Sequence, residues 1–406
     1  MPALATPSRM NLVDSLADFG RFAALRRDIH AHPELGFEEH RTAGIVAERL
    51  REWGIEVHAG VAGTGVVGVL RQGDGAHSIG LRADLDALPL QEANQFAHRS
   101  RHDGRMHACG HDGHTTMLLA AAWALAQSRD FSGTVNFIFQ PAEEMGKAGA
   151  RKMIEDGLFT RFPCEAVFAL HNFALDRVGA FATNPGALMA SSNTWRVTMR
   201  GRGAHASAPH TGIDPVAAVM ALAPQLQTLV PKVVDGRERA LLAVTQAQGS
   251  DAPNVIPDVA WLGGTVRTFS VAALDAIEQG LRLAAEHTAL AHRCSAEVSF
   301  VRASPPVVNH ADETRFAAQV MRSLVGDALV DEQFPAVMAA EDFAHMLLAR
   351  PGCYAFIGNG DGGHRLPEHG PGPCLIHNTS FDFNDAIIPI GASYFVRLAQ
   401  AWLARP

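Results

Sequence analysis

The densest chemistry in the sequence lies in Met106-His107-Ala108-Cys109-Gly110-His111-Asp112-Gly113-His114, where five of nine side chains can coordinate a metal ion. Gly110 permits a tight bend between Cys109 and His111, and the Ala/Leu-rich run that follows has strong helix propensity. The ligands therefore sit at a helix entrance. Taken singly, a Cys or a His is more often core filler than a ligand, so the argument for metal needs the rest of the chain.

The rest supplies it. Asp84, Glu143, Glu144 and His171 each lie just past an apolar, strand-like run, and His377 follows the Gly/Pro-rich stretch 358–373. Cys109, His111, Glu144, His171 and His377 make five candidate ligands from four segments. Structural zinc sites use four ligands, usually with paired thiolates, and that spacing is missing here. Five ligands suit two ions, particularly if a thiolate bridges them, and such a pair would activate water against a carbonyl. Of the adjacent Glu143 and Glu144, one carboxylate can coordinate while the other serves as general base. Their alternative role is an acidic pair at a helix N-terminus. Asp84 would orient an imidazole by accepting its second N–H, or else end a strand in solvent. Asp112 would do the same or cap the helix. A Cys109–His nucleophile pair is a further possibility, which loss of activity on chelation would exclude.

These groups need a scaffold. Helical spacing runs from about Asn11 to His30 and from His40 to Trp53, and the intervening loop His30–Glu39 is too rich in His and Glu to be punctuation alone. Val57–Leu70 reads as a strand or hairpin. Ser78–Asp84, Gly133–Gln140 and Ala166–Leu170 read as buried strands with helices between them. That alternation implies an α/β domain with a doubly wound mixed sheet, whose ligands gather outside the strand ends. Between Ser192 and Ser304 the order becomes β-α-β-β-α-β, a ferredoxin-like α+β insertion. The expected division is a metal-binding catalytic domain of residues 1–191 and 305–406, with 192–304 inserted.

Composition narrows the partners. A net charge of −8 and the lack of a Lys/Arg cluster argue against nucleic acid. No signal peptide and no membrane-spanning apolar run are read. Five scattered cysteines fit a reducing compartment, the cytoplasm.

The motifs Leu81-Arg82-Ala83-Asp84-Leu85-Asp86-Ala87-Leu88-Pro89, His107-Ala108-Cys109-Gly110-His111-Asp112, Gln140-Pro141-Ala142-Glu143-Glu144, Leu170-His171-Asn172 and His377-Asn378 resemble those of the aminoacylase/carboxypeptidase metallopeptidase family. The likeness is to its hippurate hydrolase and auxin-conjugate amidohydrolase branch. The resemblance implies a dinuclear amidohydrolase acting on N-acyl amino acids, with an inserted dimerisation (lid) domain and hence a homodimer or higher homo-oligomer. It implies Cys109 as the bridging ligand, with His111 compensating for Arg82 where other branches carry a ligating His. Glu143 is then the general base, and Glu144, His171 and His377 are the remaining ligands. In Gly201–His210 it implies that His205 stabilises the oxyanion of a neighbouring subunit's site. It places Asn254 and Arg267 near the substrate carboxylate, which the planar Arg fork suits. The metals would be zinc or manganese, with cobalt or nickel tolerated by the same donors. The rival readings are an exopeptidase or dipeptidase with the same centre, and a metal-binding protein without turnover.

Overall fold

Three apolar runs make the centre of the molecule. β3 (Ser78–Asp84), β4 (Gly133–Gln140) and β5 (Ala166–Phe173) are buried along nearly their whole length, as expected of strands covered on both faces. They pair in parallel, β3 between β4 and β5, with Asp84 beside Gln140 and Arg82 beside Ala169. Their carboxyl ends therefore finish side by side.

The computed structural model describes residues 19–406, so Leu12 and Leu16 of the first expected helix lie outside the described residues. Two compact units result, one of residues 19–186, Asn309–Pro335 and His345–Pro406, the other of Ala187–Val308 and Ala336–Ala344. In the first, β1 (Glu56–Val61) and β2 (Gly65–Gln72) form the hairpin expected between Val57 and Leu70 and extend the sheet antiparallel. With β6 (Phe181–Ala182), β7 (Val330–Asp331) and β8 (Gly352–Gly358), the sheet is mixed and eight-stranded, in the order β1-β2-β4-β3-β5-β8-β6-β7.

The first unit's helices cover that sheet. The longer ones are α1 (Phe19–Ala31), α2 (His40–Glu52), α3 (His111–Ser128), α4 (Gly149–Glu155), α5 (Ala311–Val325) and α6 (Ile388–Leu403). α3 is buried almost all round, the mark of a core helix. It packs on α1 and α6, and the approach to α6 is close: a Cβ on Gly391 would lie 2.1 Å from the Met117 sulfur. The stretch Asp385–Leu403 is long and apolar enough to cross a bilayer by length and composition, contrary to the sequence reading. It is 67 % buried within the fold, as a core helix should be.

The second unit has a four-stranded sheet in the order 240–248, 259–268, 192–200, 295–304, all antiparallel. Along Ser192–Arg200, Trp195, Val197 and Met199 face inward. Helices Pro215–Gln227 and Val271–Ala291 supply the other half of that core. The Asp214 and Ser270 side chains cap them by accepting backbone N–H bonds. The element order and sheet order are those of a ferredoxin-like unit. Residues 336–344, beyond the expected interval 192–304, join it through the Ala190 N–H, which reaches the Val337 and Ala339 carbonyls.

Candidate metal centre

The strand ends and the entrance of α3 build one cluster in the first unit. Gly110 precedes α3 with φ 95°, in the left-handed region. A Cβ there would fall 2.1 Å from Asn172 Oδ1. Only glycine fits, and it lets β5 approach close enough to set His171 beside Cys109. Gly110→Ala is expected to be destabilising, with about 1–2 kcal/mol from the backbone alone and about 1–3 kcal/mol from overpacking. It should also weaken metal binding. Thermal unfolding and metal titration check this, and wild-type values in both would contradict it.

The five expected ligands converge. Cys109 Sγ lies 3.4 Å from His171 Nε2, and ligand atoms of Cys109, His111 and Glu144 lie within 4.8 Å of one another. His377 Nε2 stands 3.2 Å from Glu144 Oε1, and its backbone N–H bonds to the Ala108 carbonyl at 2.7 Å. His377 also has a left-handed φ of 62°. That bond and turn tie the C-terminal loop to the Cys109 segment.

Hydrogen bonding separates ligand candidates from supports. His171 Nδ1 is 2.5 Å from the Asn172 carbonyl, so its N–H donates there and the Nε2 lone pair faces Cys109. His114 is engaged on both sides. Its Nδ1 lies 2.6 Å from Asp84 Oδ1, and its Nε2 accepts the Asn172 backbone N–H at 3.0 Å. By contrast, His111 Nε2 is buried without a hydrogen bond, and the buried Glu144 Oε1 faces His377 Nε2 at 3.2 Å. An unpaired buried nitrogen of this kind costs about 1–3 kcal/mol. A cation among Cys109, His111 and Glu144 would take the thiolate, His111 Nε2 and Glu144 Oε1, while His111 Nδ1 faces Asp86 Oδ1 at 3.3 Å, so the donor set fits a metal.

The charges agree. Burial pushes the Cys109 thiol up, with Glu144 adding to the rise, so a thiolate here calls for a compensating cation. Burial works against a charged His111, yet Asp84 and Cys109 outweigh it and hold the imidazole well above its usual range. Bonds to Cys109 and Glu144 raise His377 to about 10. Burial and neighbouring His114 keep His171 low, consistent with a neutral ligand. Burial would raise Asp84, but His111, His114 and Arg82 hold it well below the carboxylate range.

Several groups were placed differently by the sequence, or not at all. Asp84 holds an imidazole, but the ring is His114, which is not among the expected ligands, and His111 Nε2 is 3.8 Å away. The carboxylate nearer to His111 is Asp86, whose Oδ1 is 3.3 Å from Nδ1. Asp86 also accepts the backbone N–H groups of Glu143 and Glu144 at 3.0 and 2.9 Å. Nothing in the spacing distinguishes it from Asp84. Asp112 faces away from the cluster, toward Arg26 and His30. Glu143 sits half-buried before the short turn Glu144–Gly146.

His205, Asn254 and Arg267 belong to the second unit. His205 is exposed, pairs across a two-residue ladder with Val255, and has Nδ1 bonded to the Ser207 hydroxyl at 2.8 Å. The Asn254 carbonyl accepts the Ala206 N–H, so this loop holds both residues together. Arg267 is half-buried and donates to Thr265 Oγ1 and the Val266 carbonyl.

Known proteins are similar in sequence and fold. The Campylobacter jejuni hippurate hydrolase is 38 % identical over 395 residues, 97 % of this chain and 100 % of its own. An IAA-amino acid hydrolase of Arabidopsis thaliana is 38 % identical over 95 % of this chain and 87 % of its own. A Bacillus subtilis crystal structure, described as a dinuclear metal-binding peptidase of the M20 family, superposes with a TM-score of 0.81. It is 32 % identical and covers 95 % of this chain and 99 % of its own. Residues 80–401 match Peptidase family M20/M25/M40. With that match spanning most of the chain and a buried His/Cys/carboxylate cluster at its strand ends, the protein belongs to Peptidase family M20/M25/M40 and is a metal-dependent amidohydrolase.

Proposed function

We propose that this chain cleaves the amide bond of N-acyl amino acids, aromatic acyl conjugates of the hippurate kind among them. The observation that carries the reading is the buried donor set Cys109, His111, Glu144 and His171, with the exposed His377 beside Glu144 and with Glu143 adjacent. The similarity to a hippurate hydrolase and an IAA-amino acid hydrolase supplies the substrate class.

Those five side chains would hold two divalent cations, which when bound would supply Lewis acidity toward water and toward the scissile carbonyl. Zinc suits the thiolate and imidazoles, and the carboxylate admits manganese, cobalt or nickel. Glu143 takes the proton of the attacking water and delivers it to the leaving amine. His205 donates to the developing oxyanion from a neighbouring subunit, a contribution of about 2.7–4 kcal/mol for a well-aimed donor. Arg267 and Asn254 receive the substrate carboxylate. Residues 192–304 then form the inserted dimerisation (lid) domain of a homodimer, and 1–191 with 305–406 form the catalytic domain. The cytoplasm is the expected compartment.

A dipeptidase or exopeptidase reading draws support from carboxypeptidases among the relatives, such as Thermostable carboxypeptidase 1 of Saccharolobus solfataricus at 34 % identity. The deciding experiment is metal analysis followed by turnover on benzoyl- and acetyl-amino acids against free dipeptides. Preference for the acylated substrates, lost on chelation and restored by metal, is expected. Preference for free dipeptides would replace this reading with the peptidase. No turnover of any substrate by the metal-loaded protein would restore the non-catalytic metal-binding alternative.

A further inference from the structure

Three consecutive backbone N–H groups at the acidic turn end on two buried carboxylates. Ala142 donates to Glu39 Oε1 at 2.8 Å, Glu143 to Asp86 Oδ1 at 3.0 Å and Glu144 to Asp86 Oδ2 at 2.9 Å. Glu39 and Asp86 are 0 % and 1 % exposed. The second oxygen of Glu39 accepts the Thr64 hydroxyl at 2.5 Å.

The turn needs such support. Ala142 and Met145 hold left-handed φ values of 53° and 61°, at about 1–2 kcal/mol each for residues with a Cβ. Gly36 presses on the turn from outside: a Cβ on it would lie 2.9 Å from both Cα and Cβ of Ala142. The turn that carries Glu143 and Glu144 is thus held from two sides, with the left-handed φ values on the flanking Ala142 and Met145. Asp86 Oδ1 also lies 3.3 Å from His111 Nδ1, so one carboxylate spans both the acidic turn and the entrance of α3.

We infer that Glu39 and Asp86 form a carboxylate clamp, two positioning residues that fix Glu143 and Glu144 against His111. This rests on reading Glu143 as the base and Glu144 and His111 as ligands. The two carboxylates do different jobs, and their partners say how. Asp86 receives a backbone N–H on each oxygen. An amide there would turn an N–H toward an N–H and leave one buried backbone donor unpaired. Glu39 receives one N–H and one hydroxyl, and a hydroxyl can reverse from donor to acceptor. An amide therefore serves at position 39 and fails at position 86.

The test uses the full chain with Zn(II), reading metal affinity by chelator competition and hydrogen exchange of a peptide spanning residues 141–148. Asp86→Asn is expected to weaken metal binding by about 10–100-fold, the range for partners that orient ligands, and to speed exchange at the turn. Glu39→Gln should match wild type in both readouts, whereas Glu39→Leu should lose protection at the turn. Wild-type affinity and exchange in Asp86→Asn would overturn the clamp, as would a Glu39→Gln variant as impaired as Glu39→Leu. If Asp86→Asn does not fold, the two position-39 variants decide alone. Neither readout depends on Glu143 taking a proton, so loss of the base assignment would leave this test intact.

Discussion

Glu143→Gln in the metal-loaded protein is expected to lower kcat by about 10²–10⁴-fold, the usual worth of a positioned general base, with metal content unchanged. The amide keeps the shape of the side chain and leaves the backbone N–H of residue 143 on Asp86 Oδ1, so the turn has no reason to move. Glu144, whose N–H goes to the other oxygen, keeps its place by His377 and His111. What is lost is the basic oxygen. KM for an N-acyl amino acid should change little, because the carboxylate subsite and the metals are untouched. Steady-state kinetics beside metal analysis gives the answer. Retained kcat removes Glu143 from the proton transfer, and lost metal makes it a ligand instead.

Much of this centre could be read without coordinates because parallel strands impose an address. A carboxylate or imidazole just past an apolar run lies at the same edge of the sheet as the next one. Glu144 and His171, far apart in the chain, were thus expected near Cys109. Gly110 was legible for the same kind of reason: a thiol and an imidazole two residues apart need a bend. The supporting groups had no such address. Asp86 is one of two acids in the same short segment, and only its partners on the turn after β4 separate it from Asp84. The loop His30–Glu39 looked too charged to be idle, but its tasks are all tertiary. Glu34 receives the N–H groups of Arg41 and Thr42 at the start of α2, and Glu39 reaches Ala142. Arg26 is 1 % exposed, although helical periodicity draws attention to its apolar neighbour Leu25. A buried guanidinium announces itself only through the acids that surround it, here Asp112, Asp382 and Asp385.

That buried network carries the second large effect. His30 is 0 % exposed, with Nδ1 2.9 Å from Asp112 Oδ2 and Nε2 3.3 Å from Glu92 Oε1. Burial disfavours its charge, but Asp112 and Glu92 outweigh burial and lift the imidazole from 6.5 to about 10. The rings of His98 and His107 stand 5.6 and 6.3 Å away, and Arg26 shares Asp112 at 3.4 Å. His30→Leu removes one partner of a buried ion pair and leaves Asp112 and Glu92 short of a counter-charge. The expected loss is about 3–5 kcal/mol for a broken buried pair. Its pH dependence has a definite sign. A folded value above the unfolded one makes the contribution complete below about pH 6.5, falling away as pH rises through about 10. The stability difference between wild type and His30→Leu should therefore be largest near pH 6 and narrow toward pH 10. Urea denaturation at several pH values, read on the unfolding transition of the first unit, measures it. A difference constant from pH 6 to 10 would mean that His30 packs there uncharged, and that the acids beside the entrance of α3 are balanced by Arg26 alone.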